Sequence, residues 1–131
     1  MADIEVNSTS EDGFTTRNRT QGFDITIDGS EEEGPSPTAT LVADYAACYV
    51  AAFRVGGQQG DYDDLGQIEI DAEADLDDGD LEAVRFDMRV EEALGDDADD
   101  LVSRGEDICH VHAALRDELH ADIALEDDAA F

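Results

Sequence analysis

The chain has 131 residues, of which 36 are acidic and 7 basic, so its formal net charge at pH 7 is −29. This length predicts one domain, residues 1–131, and the 41% of hydrophobic residues, which fall in periodic blocks, exclude wholesale disorder. A chain this acidic, without any basic cluster, excludes nucleic acid and anionic membranes as partners, because it repels phosphate groups.

A strand meander is predicted at the start of the chain. Residues 4–28 alternate between apolar and polar side chains, with turn residues at 11–13 and 21–22. An acidic loop follows and ends in two prolines. There Ser36 can cap a helix whose first residue is Pro37, since proline suits the first helical position.

The first predicted helix, residues 38–55, is apolar on all sides and ends at the glycines of 56–57. A helix without a polar face must be enclosed on most sides. One sheet in a chain of 131 residues cannot easily enclose it. We therefore expect a second copy of the chain to cover part of this helix.

The second half of the chain predicts a hairpin, a helix and a last strand. Residues 68–76 and 84–90 alternate on either side of the turn 77–80. Apolar residues recur at spacings of three and four over 101–115, which indicates a helix with one buried stripe, broken near the second cysteine. Residues 119–125 alternate again, as a strand does. This order of elements is typical of an α+β fold.

The two cysteines lie on the two predicted helices, Cys48 among alanines of the first and Cys109 on the buried stripe of the second. Cys109 follows Cys48 by 61 positions, which fits no CxxC motif and no short metal motif. If both helices lie on one sheet face, the sulfurs can approach each other. From the spacing alone, two interpretations are equally favoured: the cysteines are inert thiols of the core, or they are a reactive pair. The first stays open because free cysteine is among the most buried residue types.

The sequence predicts a cytoplasmic protein. Its start lacks the basic segment and apolar run of a secretory signal, and no stretch reaches 18 apolar residues. The acidity is typical of a halophilic protein from a salt-filled cytoplasm, where molar salt shortens the Debye length to about 3 Å and screens self-repulsion. In a cytosolic chain two cysteines favour catalytic, redox or metal use over a structural disulfide.

Two motifs resemble the OsmC/Ohr family, in the pattern of a haloarchaeal member. Gly34-Pro35-Ser36-Pro37 leads through Leu41 and Ala43 into Tyr45-Ala46-Ala47-Cys48, similar to the family's proline turn and the helix with its first cysteine. Residues 106–116, which contain Cys109, resemble its second-cysteine segment. The resemblance implies an α+β OsmC-like fold, in which antiparallel sheets pack on two central helices of an intertwined homodimer.

The resemblance also implies a thiol peroxidase that reduces organic or inorganic hydroperoxides at the subunit interface. Cys48 is then the attacking thiolate that becomes a sulfenic acid, and Cys109 is the resolving thiol that converts it to a disulfide. An external dithiol reduces the disulfide. No bound cofactor and no metal are implied, and the partners are the hydroperoxide, the dithiol reductant and a second subunit.

The sequence departs from the family at two positions. Active members carry a glutamate where Thr38 stands and an arginine in the early loop, where residues 11–13 are Glu-Asp-Gly. A thiol with an ordinary pKa near ~8.5 needs a positive neighbour to ionise at neutral pH. Arg17 and Arg19 are the nearest substitutes and share a strand face. The alternative is that both pair with surface carboxylates.

Asp44 lies four residues before Cys48 and hence on the same helix face. An acid at this place can hold Arg17 or Arg19 over the sulfur, or it can raise the pKa of the thiol and silence it. We expect a pair with one of the two arginines, because an acid in an apolar helix is costly unless it is paired or solvated.

Two other functions stay open. Without the family's glutamate and arginine, the protein can be a non-catalytic OsmC-fold redox sensor or a small-ligand-binding dimer. It can also be a metal-binding dimer with Cys48, Cys109 and His112 as ligands, since these residue types suit zinc. His110 and His120 are expected to be exposed, and Tyr45 and the other aromatic residues to be core or dimer contacts.

Overall fold

The computed structural model describes residues 2–131, which form an α+β arrangement of six strands and three helices and confirm the predicted fold class. By their contacts they divide into two compact units, with the boundary between Leu41 and Val42, and the assignment of a single domain stays a prediction. The elements are β1 (Asn7–Thr9), β2 (Thr15–Thr20), β3 (Phe23–Asp28), α1 (Pro37–Gln59), β4 (Ile68–Asp77), β5 (Asp80–Val90), α2 (Ala98–Ile108), α3 (His110–Ala114) and β6 (Asp122–Glu126).

The strands β1, β2 and β3 form an antiparallel sheet in the first unit, as the alternation predicts. β2 and β3 are joined by Gln21 and Gly22, whose φ angles are 53° and 84°. Two successive residues with positive φ make the tight turn whose twist matches that of paired strands. Large apolar side chains of this unit are exposed, Phe14 over 76% and Phe23 over 69% of their surface. The unit therefore buries little of its own apolar surface.

The loop between β3 and α1 is organised by the buried carboxylate of Asp28. This group accepts hydrogen bonds from the amide and hydroxyl of Ser30, the amide of Glu33 and the hydroxyl of Thr15. The bonds from Ser30, followed by those from Glu33 and Thr15, hold the pKa of Asp28 far below its ordinary value. The loop thus has a charged centre that satisfies its backbone donors.

The helix α1 begins where the sequence predicts. The hydroxyl of Ser36 accepts a hydrogen bond from the amide of Ala39 at 3.1 Å, as expected of a cap that precedes Pro37. Within residues 42–59, one face of α1 is buried in the core of the second unit. The opposite face is exposed and consists mainly of small apolar residues, Ala43, Ala47, Ala51 and Val55. No helix among residues 2–131 combines the length and apolarity needed to cross a membrane.

The predicted end of this helix at Gly56 and Gly57 is wrong, because α1 continues to Gln59. Both glycines are buried against neighbouring elements. A Cβ atom on Gly56 would lie 3.1 Å from the Cβ of Arg104, and one on Gly57 would lie 3.0 Å from a methyl group of Leu65. These glycines therefore serve close packing inside the helix rather than its termination.

The second sheet contains β4, β5 and β6, and β6 runs parallel to β5. The β4–β5 hairpin turns at Asp78 and Gly79, with φ angles of 52° and 87°, within the predicted turn. The expectation of antiparallel sheets holds for the other pairs but is wrong for β6. The chain between β5 and β6 passes through α2 and α3, and a crossover of that length allows two strands to run in parallel.

The core of residues 42–131 lies between α1 and β5. The rings of Tyr45 on α1 and Phe86 on β5 have centroids 4.8 Å apart in an edge-to-face arrangement. Other almost fully buried side chains complete this layer, namely Tyr49, Phe53, Leu65, Met88, Val90, Leu94 and Leu101. The packing fixes the middle of α1, which carries the first cysteine.

Candidate active site

The two cysteines come together in the second unit. Cys48 is half-buried on α1, and Cys109 is buried at the junction between α2 and α3. Both thiols are free, and the two side chains lie close enough for each to shift the pKa of the other. The sequence left it open whether these sulfurs approach each other. The fold brings them close together.

The helix break predicted near Cys109 is confirmed and falls at that residue. Cys109 has an extended backbone, with φ −67° and ψ 112°, so it ends α2 and begins α3. Its Sγ accepts a hydrogen bond from the amide of His112 at 3.4 Å. The amides of His110 and Val111, in the first turn of α3, donate to the sulfur of Cys48. The break therefore gives both sulfurs backbone donors, which a continuous helix would have used internally.

The pKa values of the two thiols move in opposite directions. Burial raises the pKa of Cys48, but hydrogen bonds from the Val111 amide, the Cys109 thiol and the His110 amide outweigh it, and the net pKa is lowered. Burial raises the pKa of Cys109, and its donation to Cys48 raises it further. A negative charge on the pair therefore resides on Cys48. That sulfur is the better nucleophile near neutral pH.

Tyr49 and Gly105 set the approach of α2 to α1. A Cβ atom on Gly105 would lie 3.0 Å from the hydroxyl oxygen of Tyr49, so only glycine fits at this crossing without a shift. The hydroxyl of Tyr49 donates to the carbonyl of Val102 at 2.9 Å. Because Gly105 is one turn before Cys109, this contact positions the end of α2 beside Cys48.

A second polar cluster adjoins the cysteines. The hydroxyl of Tyr45 is hydrogen-bonded to Nδ1 of His112 at 2.7 Å, and the ring of His120 stacks on that of His112 with centroids 3.7 Å apart. The prediction that His120 is exposed on the last strand is therefore wrong. His120 precedes β6, is half-buried, and donates through Nε2 to the carbonyl of Leu115 at 3.1 Å. His110 is exposed, as predicted.

Sequence reasoning placed Tyr45 in the core but did not assign it a polar role. The same reasoning considered His112 as a possible metal ligand and gave it no bond to Tyr45. No short-range signal joins them, because they are 67 residues apart in the chain. Among residues 2–131, no three His, Cys, Asp or Glu side chains are grouped as metal ligands.

The other three predicted site residues, Arg17, Arg19 and Asp44, are exposed. Arg17 and Arg19 project from the same face of β2 into an open groove of about 540 Å³ in the first unit. Arg19 forms an exposed ion pair with Asp24 at 3.3 Å, as the surface alternative anticipated. Asp44 is exposed on α1, and Thr38 is half-buried in its first turn. The proposed effect of Arg17, Arg19 and Asp44 on Cys48 stays a prediction.

Residues 29–124 match the family model described as OsmC-like protein. This chain belongs to the OsmC family. The match spans both cysteine motifs and confirms the resemblance on which the site assignment rests. An uncharacterised protein of Haloferax volcanii is 53% identical to this OsmC family member over 131 residues, which is 98% of this chain and 99% of the relative. This relative is a haloarchaeal protein.

Solved structures share the fold of this OsmC family member at low sequence identity. A putative osmotic stress induced and detoxification response protein from Psychrobacter arcticus has a TM-score of 0.81 at 14% identity, with 96% of each chain covered. The OsmC-like protein of Mycoplasma pneumoniae has a TM-score of 0.77 at 15% identity, also with 96% of each chain covered. The organic hydroperoxide resistance protein OhrB of Bacillus subtilis has a TM-score of 0.72 at 19% identity, covering 95% of this chain and 98% of that one.

Proposed function

We propose that this protein is a two-cysteine peroxidase that reduces organic or inorganic hydroperoxides. The observation that carries the proposal is the proximity of Cys48 and Cys109, at which the pKa of one thiol is lowered and that of the other is raised. A peroxidatic cysteine must be a thiolate, whereas a resolving cysteine has to remain close and available. The organic hydroperoxide resistance protein from Bacillus subtilis, which shares the fold, supports the choice of substrate.

The reaction has two steps at the cysteines. In the first, the thiolate of Cys48 attacks the distal oxygen of the hydroperoxide. The S–O bond forms, the O–O bond breaks, Cys48 becomes a sulfenic acid, and the alkoxide takes a proton from water and leaves as the alcohol. In the second, the sulfur of Cys109 attacks that of Cys48. The S–S bond forms, and the hydroxyl group leaves as water with the proton of Cys109.

The cycle closes when an external dithiol transfers two electrons to the disulfide. The dithiol is itself oxidised to a disulfide, and both cysteines return to thiols. Such a cycle requires a reducing compartment, in agreement with the predicted cytoplasmic location.

The proposed active unit is an intertwined homodimer. In a single chain the apolar side chains of Phe14, Phe23 and Ile25 are exposed, and so is the small apolar face of α1 that ends at Val55. Apolar surface of this extent is typical of an interface rather than of a solvated surface. Because the half-exposed Cys48 lies on α1, the second copy would also limit access to its sulfur. Light scattering in about 2 M KCl measures the mass, and a monomer would contradict this part.

Within this proposal, Arg17 or Arg19 supplies the positive charge that the family's early-loop arginine provides, and Asp44 orients it. Arg17 makes no ion pair within the described residues 2–131, so its charge is available to a neighbour. A guanidinium near a thiolate lowers the pKa of the thiol further.

The direct test mixes the reduced protein with a slight excess of an alkyl hydroperoxide in about molar KCl and then counts free thiols. The expected result is the loss of both thiols with formation of one disulfide. A Cys48→Ser variant, which retains Cys109, is the matched control and should keep its thiol. Retention of both thiols by the wild-type protein over minutes would sink the peroxidase proposal.

A second candidate function is a redox sensor or small-ligand-binding dimer without turnover. The substitution of Thr38 for the family's glutamate and the acidic residues 11–13 in the early loop favour it. The two functions differ in rate, because a sensor needs only one slow oxidation whereas a peroxidase must turn over repeatedly with a dithiol. Repeated peroxide consumption with dithiothreitol as the reductant would therefore exclude the sensor.

A further inference from the structure

The hydroxyl group of Tyr45 connects three segments of the second unit. It lies on α1, is hydrogen-bonded to Nδ1 of His112 on α3 at 2.7 Å, and accepts a hydrogen bond from the amide of Ala121 before β6 at 3.0 Å. The amide of Ala121 can only donate, so the hydroxyl hydrogen of Tyr45 is free to point at the ring of His112. His112 then accepts at Nδ1 and carries its hydrogen on Nε2, as a neutral imidazole.

His112 also contacts the resolving cysteine. While its ring binds Tyr45, its backbone amide donates to Sγ of Cys109 at 3.4 Å. The helix α3 that joins them has only five residues, too few for its own hydrogen bonds to hold it in place. The turn that carries Cys109 therefore depends on tertiary contacts, and the Tyr45 hydroxyl is the polar contact from α1 to the ring of His112.

We propose that Tyr45 and His112 form a positioning pair that holds the Cys109 turn against α1 and thereby sets the rate at which Cys109 resolves oxidised Cys48. The inference rests on the proposed function, since it concerns the second step of that reaction. In this proposal neither Tyr45 nor His112 contacts the peroxide. Tyr45 acts through His112, and His112 acts through the backbone around Cys109.

The resolving step is the one that needs this restraint. The sulfurs of two free thiols are farther apart than the ~2.05 Å of a disulfide, so the Cys109 turn must move towards α1 in a defined direction. Reactions between groups held in one structure lose rate steeply when their alignment is lost. The same turn supplies the hydrogen-bond donors that lower the pKa of Cys48, so both steps are measured at an alkaline pH at which Cys48 is ionised with or without those donors. Under that condition attack on the peroxide uses only the Cys48 sulfur and should be much less sensitive to the Tyr45 hydroxyl.

The test is a Tyr45→Phe variant, which removes the hydroxyl and keeps the ring that packs on Phe86. Tyr62→Phe is the matched control, because it removes another tyrosine hydroxyl, the one bonded to Asp97 at 2.6 Å, which the site does not use. Rapid mixing with an alkyl hydroperoxide gives two rates, sulfenic acid formation by trapping with dimedone and disulfide formation by mass spectrometry. For Tyr45→Phe we expect disulfide formation to slow about tenfold and sulfenic acid formation to change less than about twofold. For Tyr62→Phe we expect both rates to change less than about twofold.

Two variants of His112 separate positioning from a loss of packing. Asparagine places a hydrogen-bond acceptor close to the position of Nδ1, whereas leucine fills similar space without one. His112→Asn should therefore resolve the sulfenic acid faster than His112→Leu. Equal resolution rates in these two variants would overturn the assignment to the hydrogen bond.

Failure of the inference is distinguishable from failure of the proposed function. Disulfide formation in Tyr45→Phe at the wild-type rate, or an equal slowing of both steps, would overturn the positioning role.

If the wild-type protein does not react with peroxide, the peroxidase proposal fails, and diamide then replaces the peroxide. Diamide is an azo compound, and a thiolate adds to its N=N bond. A second thiol then attacks the bound sulfur, so that the disulfide forms and the reduced hydrazine leaves. The reaction therefore closes the same disulfide. Tyr45→Phe must slow this closure too, and an unchanged rate would overturn the inference.

Discussion

Cys48 on α1 and Cys109 at the start of α3 lie close enough to shift each other's pKa, and this proximity makes the two cysteines unequal. Burial raises the pKa of both thiols, but the shared hydrogen bond lowers that of Cys48 and raises that of Cys109. The backbone amides of Val111 and His110, at the start of α3, also lower the pKa of Cys48. The order of the proposed reaction, attack by Cys48 and resolution by Cys109, follows from this asymmetry.

Removal of the Cys109 donor should raise the pKa of Cys48. In Cys109→Ala the sulfur of Cys48 loses one of its hydrogen-bond donors, whereas in Cys109→Ser a hydroxyl donor remains. The pH dependence of Cys48 alkylation by iodoacetamide measures the pKa. We expect it to be higher in the alanine variant than in the serine variant. Identical profiles would show that the thiol hydrogen bond does not control the ionisation of Cys48.

Neutralisation of the exposed arginines of β2 should slow attack on the peroxide. In a variant with both Arg17→Ala and Arg19→Ala, we expect sulfenic acid formation at neutral pH to fall about tenfold, because an opposite charge nearby shifts a pKa by about one unit or more. Arg104→Ala is the matched control, since Arg104 is also an arginine near the surface, paired with Asp100 at 2.8 Å. An unchanged rate in the double variant would assign the activation of Cys48 to its hydrogen-bond donors alone.

Substitution of Gly105 by alanine should destabilise the protein and separate the cysteines. The added Cβ would lie 3.0 Å from the hydroxyl oxygen of Tyr49, so α2 must shift away from α1. Overpacking of this kind lowers the free energy of unfolding by about 1–3 kcal/mol. Gly60→Ala is the control, because the nearest atom to its new Cβ is at an ordinary 3.6 Å. Urea unfolding in molar KCl compares them, and equal stability of the two variants would contradict the close contact.

Acidification should destabilise the protein partly through His112. Burial and His120 lower the pKa of His112, against opposing effects of Glu106, Asp107 and Asp117. A lowered pKa means that the unfolded chain binds a proton near pH ~6.5 while the folded chain resists it, so stability falls as pH drops through that value. The melting temperature in molar KCl, followed from about pH 7.5 to 5, should fall less in His112→Asn than in the wild type. Parallel curves would show that His112 does not contribute.

Much of this fold could be predicted from local sequence. The tight turn at Asp78 and Gly79 and the Ser36 cap each depend on a few adjacent residues, whose backbone preferences do not require a partner elsewhere. The two helices and the break near Cys109 also follow from apolar spacing and from one interrupted stripe. The family resemblance then named Cys48 and Cys109 as the reactive pair.

The sequence by itself therefore determined the element types, the acidic composition and the two cysteine motifs. Only the tertiary structure decided the parallel pairing of β6, the burial of Gly56 inside α1, and the bond between Tyr45 and His112. Each of these depends on residues that are distant in the chain and meet only when α1, α3 and the second sheet pack together. The ionisation of Cys48 has the same origin, because its donors come from the start of α3, more than sixty positions along the chain. Local preferences act over a few residues, whereas hydrogen bonds and packing act through space.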